Sequence, residues 1–277
     1  MTSSKPLQIE LLPGALELLT LHARELPQRD DLCGAFCGAL ALGAAGIDRY
    51  AGQPVDQDAV ALAAGSVISG VREAGTLPHG EAGRRDYRIQ LPLIDDPDAS
   101  GTTAAGLLDA VAKLSAGAIA AIPYTGPWET STLAGLFDIA AALEHPVTLI
   151  ANLATRHLWG GRPSVSQLLG YLLEGEPQGP APDWDVGHFA CVFARVQGPG
   201  GRLYCLADTY PALGNGGVHV QPQERLATAL ARQEGPAGGM FVLACAQDAA
   251  AVRSGADELG LQEGIWDNGT VGRAMPT

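Results

Sequence analysis

No run in this chain is long and apolar enough to cross a bilayer, although 47% of its residues are hydrophobic. The apolar residues are dispersed as in a soluble globular protein, and 277 residues is ample length for a real core. Basic residues are scarce. The 17 Lys and Arg stand against 30 Asp and Glu, a net charge of −13, which argues against a nucleic-acid or anionic-membrane partner and is compatible with a neutral or basic substrate. The five cysteines are an odd, scattered set without a CxxC pair, so neither a disulfide framework nor a structural zinc site is indicated. The histidines show no HxxxH or HExxH spacing, and no Gly-Lys-Ser/Thr phosphate cradle is present; no metal or other cofactor is expected. The polar start, Met1 to Pro6, has no secretory apolar stretch, so a cytoplasmic location is expected.

What is present falls into two halves. Helical patterns come first: Pro13 to Leu26 with Leu16, Leu19 and Ala23 on one face, the charge-free run Cys33 to Ile47, Gln57 to Val71, and a helix capped by Thr102 or Thr103 through Leu114. Gly34, Gly38 and Gly43 cost helix propensity, so a central helix in close backbone contact is expected around them. Thr76 to Ser100 is rich in turn formers and is the candidate lid or substrate-choosing loop. Ala118 to Ile122 and Pro146 to Leu153 read as strands, with helices over Thr130 to Leu143 and Ser164 to Leu173. His188 to Val196, Arg202 to Asp208 and Met240 to Ala246 are apolar and rich in β-formers, and helices are expected over Pro222 to Arg232 and Asp248 to Leu259. Helices first and strands later is the order of an α+β protein.

The chemistry centres on Gln28 to Leu40. A polar loop ends at Cys33, where a buried helix is expected to open with Asp30 or Asp31 as its cap. Unpaired backbone N–H groups and the helix dipole favour an anion there, which promotes ionisation of a thiol. A nucleophilic sulfur needs an imidazole to take its proton and a group to fix the imidazole tautomer. His188 begins one strand and Asp208 ends the next, and a turn at Gln197 to Gly201 places residues near 188 opposite residues near 208. Gln28 precedes the cysteine and can offer its side-chain N–H to an oxyanion, beside the backbone N–H of Cys33. Cys37, one turn further on, and Cys191, Cys205 and Cys245 read as core residues. Trp184-Asp185 can wall a substrate groove.

Three islands carry a family resemblance: Asp31-Leu32-Cys33-Gly34-Ala35-Phe36-Cys37, Gly187-His188-Phe189-Ala190-Cys191-Val192 and Leu206-Ala207-Asp208-Thr209-Tyr210-Pro211. Together they resemble the papain-like cysteine peptidases, in particular the bacteriocin-processing type that cuts after a double-glycine leader. The resemblance implies an α+β papain-like fold, with N-terminal helices and the catalytic helix packed on a C-terminal antiparallel sheet. It makes Cys33 the nucleophile, Cys37 structural, His188 the base and Asp208 its orienting acid. Residues 1–277 are then a single papain-like domain, with 240–277 as a strand–helix extension. This sequence departs from the pattern at Leu32, where an acidic residue usually precedes the cysteine, at Asp208-Thr209-Tyr210-Pro211 in place of Asp-Pro, and in the short Gln28–Cys33 spacing. The expected activity is a thiol hydrolase acting on a peptide or amide through a thioester acyl-enzyme. The same machinery serves an acyltransferase moving an acyl group from a thioester to an amine, and a papain-like scaffold can also be kept as a non-catalytic binding module. Alkylation rates at pH 6 separate enzyme from scaffold. The oligomeric state is not legible.

Overall fold

The computed structural model describes residues 6–71, 77–81, 83–84, 86–182, 184–232 and 237–270. The chain opens with strand β1 (Gln8–Leu11), then helices α1 (Ala15–Glu25) and α2 (Cys33–Ala44), a small hairpin of β2 (Arg49–Tyr50) and β3 (Gln53–Pro54), and α3 (Gln57–Ala63). A short parallel pair follows, β4 (Ile68–Ser69) with β5 (Leu93–Ile94), and then α4 (Ala104–Leu114), β6 (Ile119–Thr125), α5 (Thr130–Ala141), β7 (Thr148–Ala154) and α6 (Val165–Glu174). The last part runs β8 (Gly187–Gln197), β9 (Arg202–Ala207), β10 (Val218–Pro222), α7 (Gln223–Ala231), β11 (Met240–Cys245), α8 (Ala249–Glu258) and β12 (Gln262–Glu263). No helix among the described residues is long and apolar enough to cross a membrane.

The sheet explains the α+β class. Eight strands lie in the order β10-β9-β8-β7-β11-β6-β12, with β1 beside the far half of β8, and every pairing in it is antiparallel. Side chains alternate between its faces. Phe189, Cys191, Phe193, Ala207, Phe241 and Leu243 join the cluster built with α1 to α4, whereas Ala190, Val192, Leu206, Met240 and Val242 join the cluster built with α5, α7 and α8. The result is a three-layer protein with α2 on one face of the sheet, against β8 and β7.

Helix α2 is buried on nearly every side, from Gly34 to Leu42 without interruption, so it has no solvated face. Its glycines are there for contact. A Cβ on Gly38 would lie 2.7 Å from Leu107, one on Gly43 2.7 Å from Leu21, and one on Gly34 3.1 Å from Thr102.

Several expectations are corrected. The inward face of α1 is Ala15, Leu18 and His22, and Leu16 is 63% exposed; the stripe was misread because a histidine with a buried partner sits in it. The helix from Gln57 stops at Ala63 because Gly65 adopts a left-handed φ of 65°, and Val71 is exposed. Met240–Cys245, the strand of the strand–helix extension, lies inside the sheet between β6 and β7; its fully apolar sequence is what a two-sided burial requires. Within the proposed lid, Thr76 and parts of 81–85 lie outside the described residues, as do 271–277 of the proposed extension, while Pro97–Ala99 forms a 3-10 turn.

Candidate active site

The site is assembled where the N-terminus of α2 meets the starting end of β8. Cys33 is the first residue of α2 and is partly exposed. Its backbone N–H is one of those that a helix start leaves without an intrahelical acceptor. Neither Asp30 nor Asp31 caps the helix. The cap is Leu32, which contributes no side-chain bond and is fully buried. Asp31 instead turns the chain with φ 68°, a conformation aspartate tolerates, and its Oδ2 accepts from the backbone N–H of Ser69 at 2.7 Å. Leu32 thus anchors the turn in the core, which accounts for an apolar residue directly before the cysteine.

The loop entering this turn is clamped from below. Gln57 accepts from the Arg29 N–H at 2.6 Å. The buried Arg29 guanidinium pairs with Asp58 at 3.4 Å, donates to the Ile89 carbonyl at 2.7 Å and stacks on Tyr87. A buried charge is tolerated only with such partners, so the position of the pre-cysteine loop is strongly determined.

His188 and Asp208 meet because of a bulge. Near the turn, β8 and β9 pair Gln197 with Arg202 and Ala194 with Cys205, but beyond Phe193 the register moves by one, to Val192–Leu206 and Cys191–Ala207. Opposite residues share a face. Continuing the alternation one residue beyond β9 puts Asp208 on the face of Leu206 and Val192, which is the His188 face. Without the bulge, Asp208 would fall on the other face. The bulge sits where the edge of β8 changes partner from β7 to β1, and the Phe193 carbonyl accepts from the Leu12 N–H at 2.9 Å.

His188 Nε2 donates to Asp208 Oδ1 at 2.7 Å, and both side chains are 2% exposed. The same oxygen accepts from the Thr209 N–H at 2.6 Å. With Nε2 engaged by the carboxylate, Nδ1 is the nitrogen available to the Cys33 thiol, which interacts with the ring. Burial opposes the imidazolium, but the Asp208 charge and hydrogen bond, with a contribution from Cys33, outweigh it and raise the His188 pKa to about 10. Burial likewise opposes the Asp208 carboxylate, and His188 and His219 together hold its pKa well below the usual range. Burial pushes the Cys37 thiol well up, and the Cys205 thiol to about 11, as expected for inert core residues.

A cleft of about 260 Å³ opens over this group, lined by Gln28, Cys33, Thr102, Trp184, His188 and Tyr210 among others. Trp184 packs edge-on against His188 with ring centroids 4.8 Å apart and also meets Tyr210. It both walls the cleft and shields the His188 ring. Gln28 is buried beside them, and its backbone N–H donates to the Thr209 carbonyl at 2.9 Å, tying the pre-cysteine loop to the Asp208 turn. Its Nε2 donates to the Tyr210 hydroxyl at 2.9 Å, while its Oε1 is buried without a partner among the described residues. Turning the amide over is sterically neutral. It lets Tyr210 donate to Oε1 and frees Nε2.

Sequence reasoning brought together Cys33, His188, Asp208 and Gln28, and all four contribute to this arrangement; Cys33, Gln28 and His188 line the cleft itself. It missed Tyr210, and it missed two further histidines at Asp208. His219 Nε2 is 2.9 Å from Asp208 Oδ2, and His22 Nε2 is 2.5 Å from the Asp208 carbonyl. The signal for His219 was its alternation with Gln221 on a strand, two polar residues spaced to share a face. Among the described residues no group of three or more His, Cys, Asp and Glu is arranged to hold a metal ion.

No curated protein matches this sequence. A family model described as a family of unknown function, DUF6885, matches residues 12–267, and the chain belongs to that family.

Proposed function

We propose that this protein is a papain-like thiol hydrolase that cleaves a peptide or small amide through a thioester on Cys33. The observation that carries the reading is the convergence of a helix-opening cysteine, a buried His188–Asp208 pair at 2.7 Å and Gln28 on one cleft. A central helix packed on an antiparallel sheet, with its N-terminus at the site, supports the papain-like comparison.

The steps follow from the atoms. Cys33 transfers its proton to His188 Nδ1, and the sulfur attacks the substrate carbonyl carbon. The carbonyl π electrons move to oxygen, where the Cys33 N–H and the Gln28 Nε2–H stabilise the charge. Collapse expels the amine, which takes the proton from His188. Water then attacks the thioester carbon as His188 Nδ1 takes its proton, and collapse breaks the C–S bond, releasing the acid and returning that proton to the Cys33 sulfur. Asp208 keeps the proton on Nε2 throughout, so that Nδ1 faces the sulfur. The cleft is lined by Asp31, Asp98 and Asp185 and by no Lys or Arg among its described residues, which favours neutral or cationic substrates.

Acid quenching during reaction with p-nitrophenyl acetate tests this. The reading predicts one acetyl adduct, mapped to Cys33 and missing from Cys33→Ala. An adduct only on other residues, or none, contradicts it.

A further inference from the structure

We infer that His219 is a positioning residue for the Cys33–His188–Asp208 group: it grips the second carboxylate oxygen of Asp208 while Gln221 orients its ring. The inference rests on the thiol chemistry proposed above.

Strand β10 pairs with β9 so that His219 lies opposite Leu206 and Gln221 opposite Tyr204. Asp208, two residues beyond Leu206, is therefore the diagonal neighbour of His219 on the same face. His219 Nε2 lies 2.9 Å from Asp208 Oδ2, with side chains 7% and 2% exposed. The carboxylate is thus shared between two imidazoles, His188 on Oδ1 and His219 on Oδ2.

The tautomer of His219 follows from its other side. Gln221 Oε1 accepts from the Trp159 N–H at 2.7 Å, and Gln221 Nε2 donates to the Trp159 carbonyl at 2.9 Å. Both ends of the amide are therefore oriented by one backbone unit. The remaining Gln221 N–H points at His219 Nδ1, 3.0 Å away. Nδ1 must accept, so the single proton of a neutral ring sits on Nε2 and is donated to Asp208. Protonating Nδ1 would set one N–H against another.

This arrangement solves a specific problem. A buried carboxylate oxygen without a donor is costly and leaves Asp208 free to rotate, whereas a cation in its place would cancel the charge that His188 needs. The His219 Nε2–H orients the carboxylate through the oxygen that His188 does not use. The titratable groups around Asp208 are His188 of β8, His219 of β10, Cys33 and Cys37 of α2, and His22 of α1, which donates to the Asp208 carbonyl. Among the described residues no Lys or Arg pairs with Asp208.

The test is the pH profile of Cys33 alkylation by iodoacetamide in wild type, His188→Ala, His219→Leu and His219→Gln. A glutamine places an amide N–H near the position of Nε2, so it keeps the donor. The inference predicts about a tenfold loss at pH 6 in His219→Leu, the scale of one charge-assisted hydrogen bond, with a displaced profile and recovery to within about twofold in His219→Gln. If wild-type Cys33 shows no dependence on His188, the thiol reading itself fails and the inference falls with it. If that dependence holds but His219→Leu keeps the wild-type profile, only the role of His219 is overturned. Should His219→Leu fail to fold, nitrogen-15 imidazole spectra of the wild type decide: a proton on Nε2 alone at pH 7 is expected, and a proton on Nδ1 overturns the inference.

Discussion

Replacing Asp208 with Asn removes one charge and almost no volume from the centre of the site. In the wild type, the carboxylate and its hydrogen bond are the largest effects opposing the burial of His188, and they raise its pKa from 6.5 to about 10. At about 1.4 kcal/mol per pKa unit, that rise corresponds to roughly 5 kcal/mol favouring the imidazolium. In Asp208→Asn, burial acts with little opposition and the ring is mostly neutral at pH 7. The Cys33 sulfur then has no imidazolium beside it. A free thiol of pKa about 8.5 is only about 0.3% ionised at pH 6, so a fully paired thiolate gains about 300-fold in abundance. A thiolate whose pKa is low enough to be fully formed at pH 6, about 3.5 units below 8.5, is intrinsically less nucleophilic by about 30-fold. The net expectation is that iodoacetamide labels Cys33 about tenfold more slowly at pH 6 in Asp208→Asn, with a difference that narrows as pH rises. Near-ultraviolet circular dichroism checks that the variant is folded. Equal rates in folded wild type and variant at pH 6 would refute the reasoning.

Other consequences follow from the same geometry. The raised His188 pKa contributes stability that is full below pH 6.5 and declines as pH rises towards about 10, whereas the lowered Asp208 pKa contributes stability that is full above pH 3.8 and is lost in acid below it. Melting temperature against pH should therefore fall on both sides of that window, and His188→Ala should lack the decline between 6.5 and 10. Asp58→Ala leaves the buried Arg29 without its carboxylate and should cost about 3–5 kcal/mol in urea unfolding; a cost below about 1 kcal/mol would contradict the clamp beneath the pre-cysteine loop. Gly106→Ala would set a Cβ 2.2 Å from the Ala64 carbonyl. Despite a helix-propensity gain of about 1 kcal/mol, it should destabilise, because that neighbour is backbone and α3 must shift away from α4.

How much of this was legible in the sequence differs by residue. Cys33 was readable because a charge-free run begins there and the glycines behind it mark close packing, both local signals. His188 and Asp208 were readable as the two ends of a hairpin. The face that Asp208 presents was not, since it depends on the one-residue bulge at Phe193, set by β7 and β1 meeting along the edge of β8. His219 and His22 were hidden for a related reason: each is a polar residue on a buried face, where it reads as a break in the apolar pattern. Their partner is one residue, Asp208, far from His22 in sequence. The integration of β11 into the middle of the sheet was also invisible, because strand order depends on long-range pairing and not on the order of elements along the chain.

The most direct measurement is limited iodoacetamide labelling at pH 6, mapped by peptide mass spectrometry, on wild type and His188→Ala. The account predicts that Cys33 labels well ahead of Cys37, Cys191, Cys205 and Cys245, and that His188→Ala slows it by about tenfold, the loss expected when the sulfur has no imidazolium partner. A Cys33 that labels no faster than the other cysteines, or equally fast without His188, would contradict it.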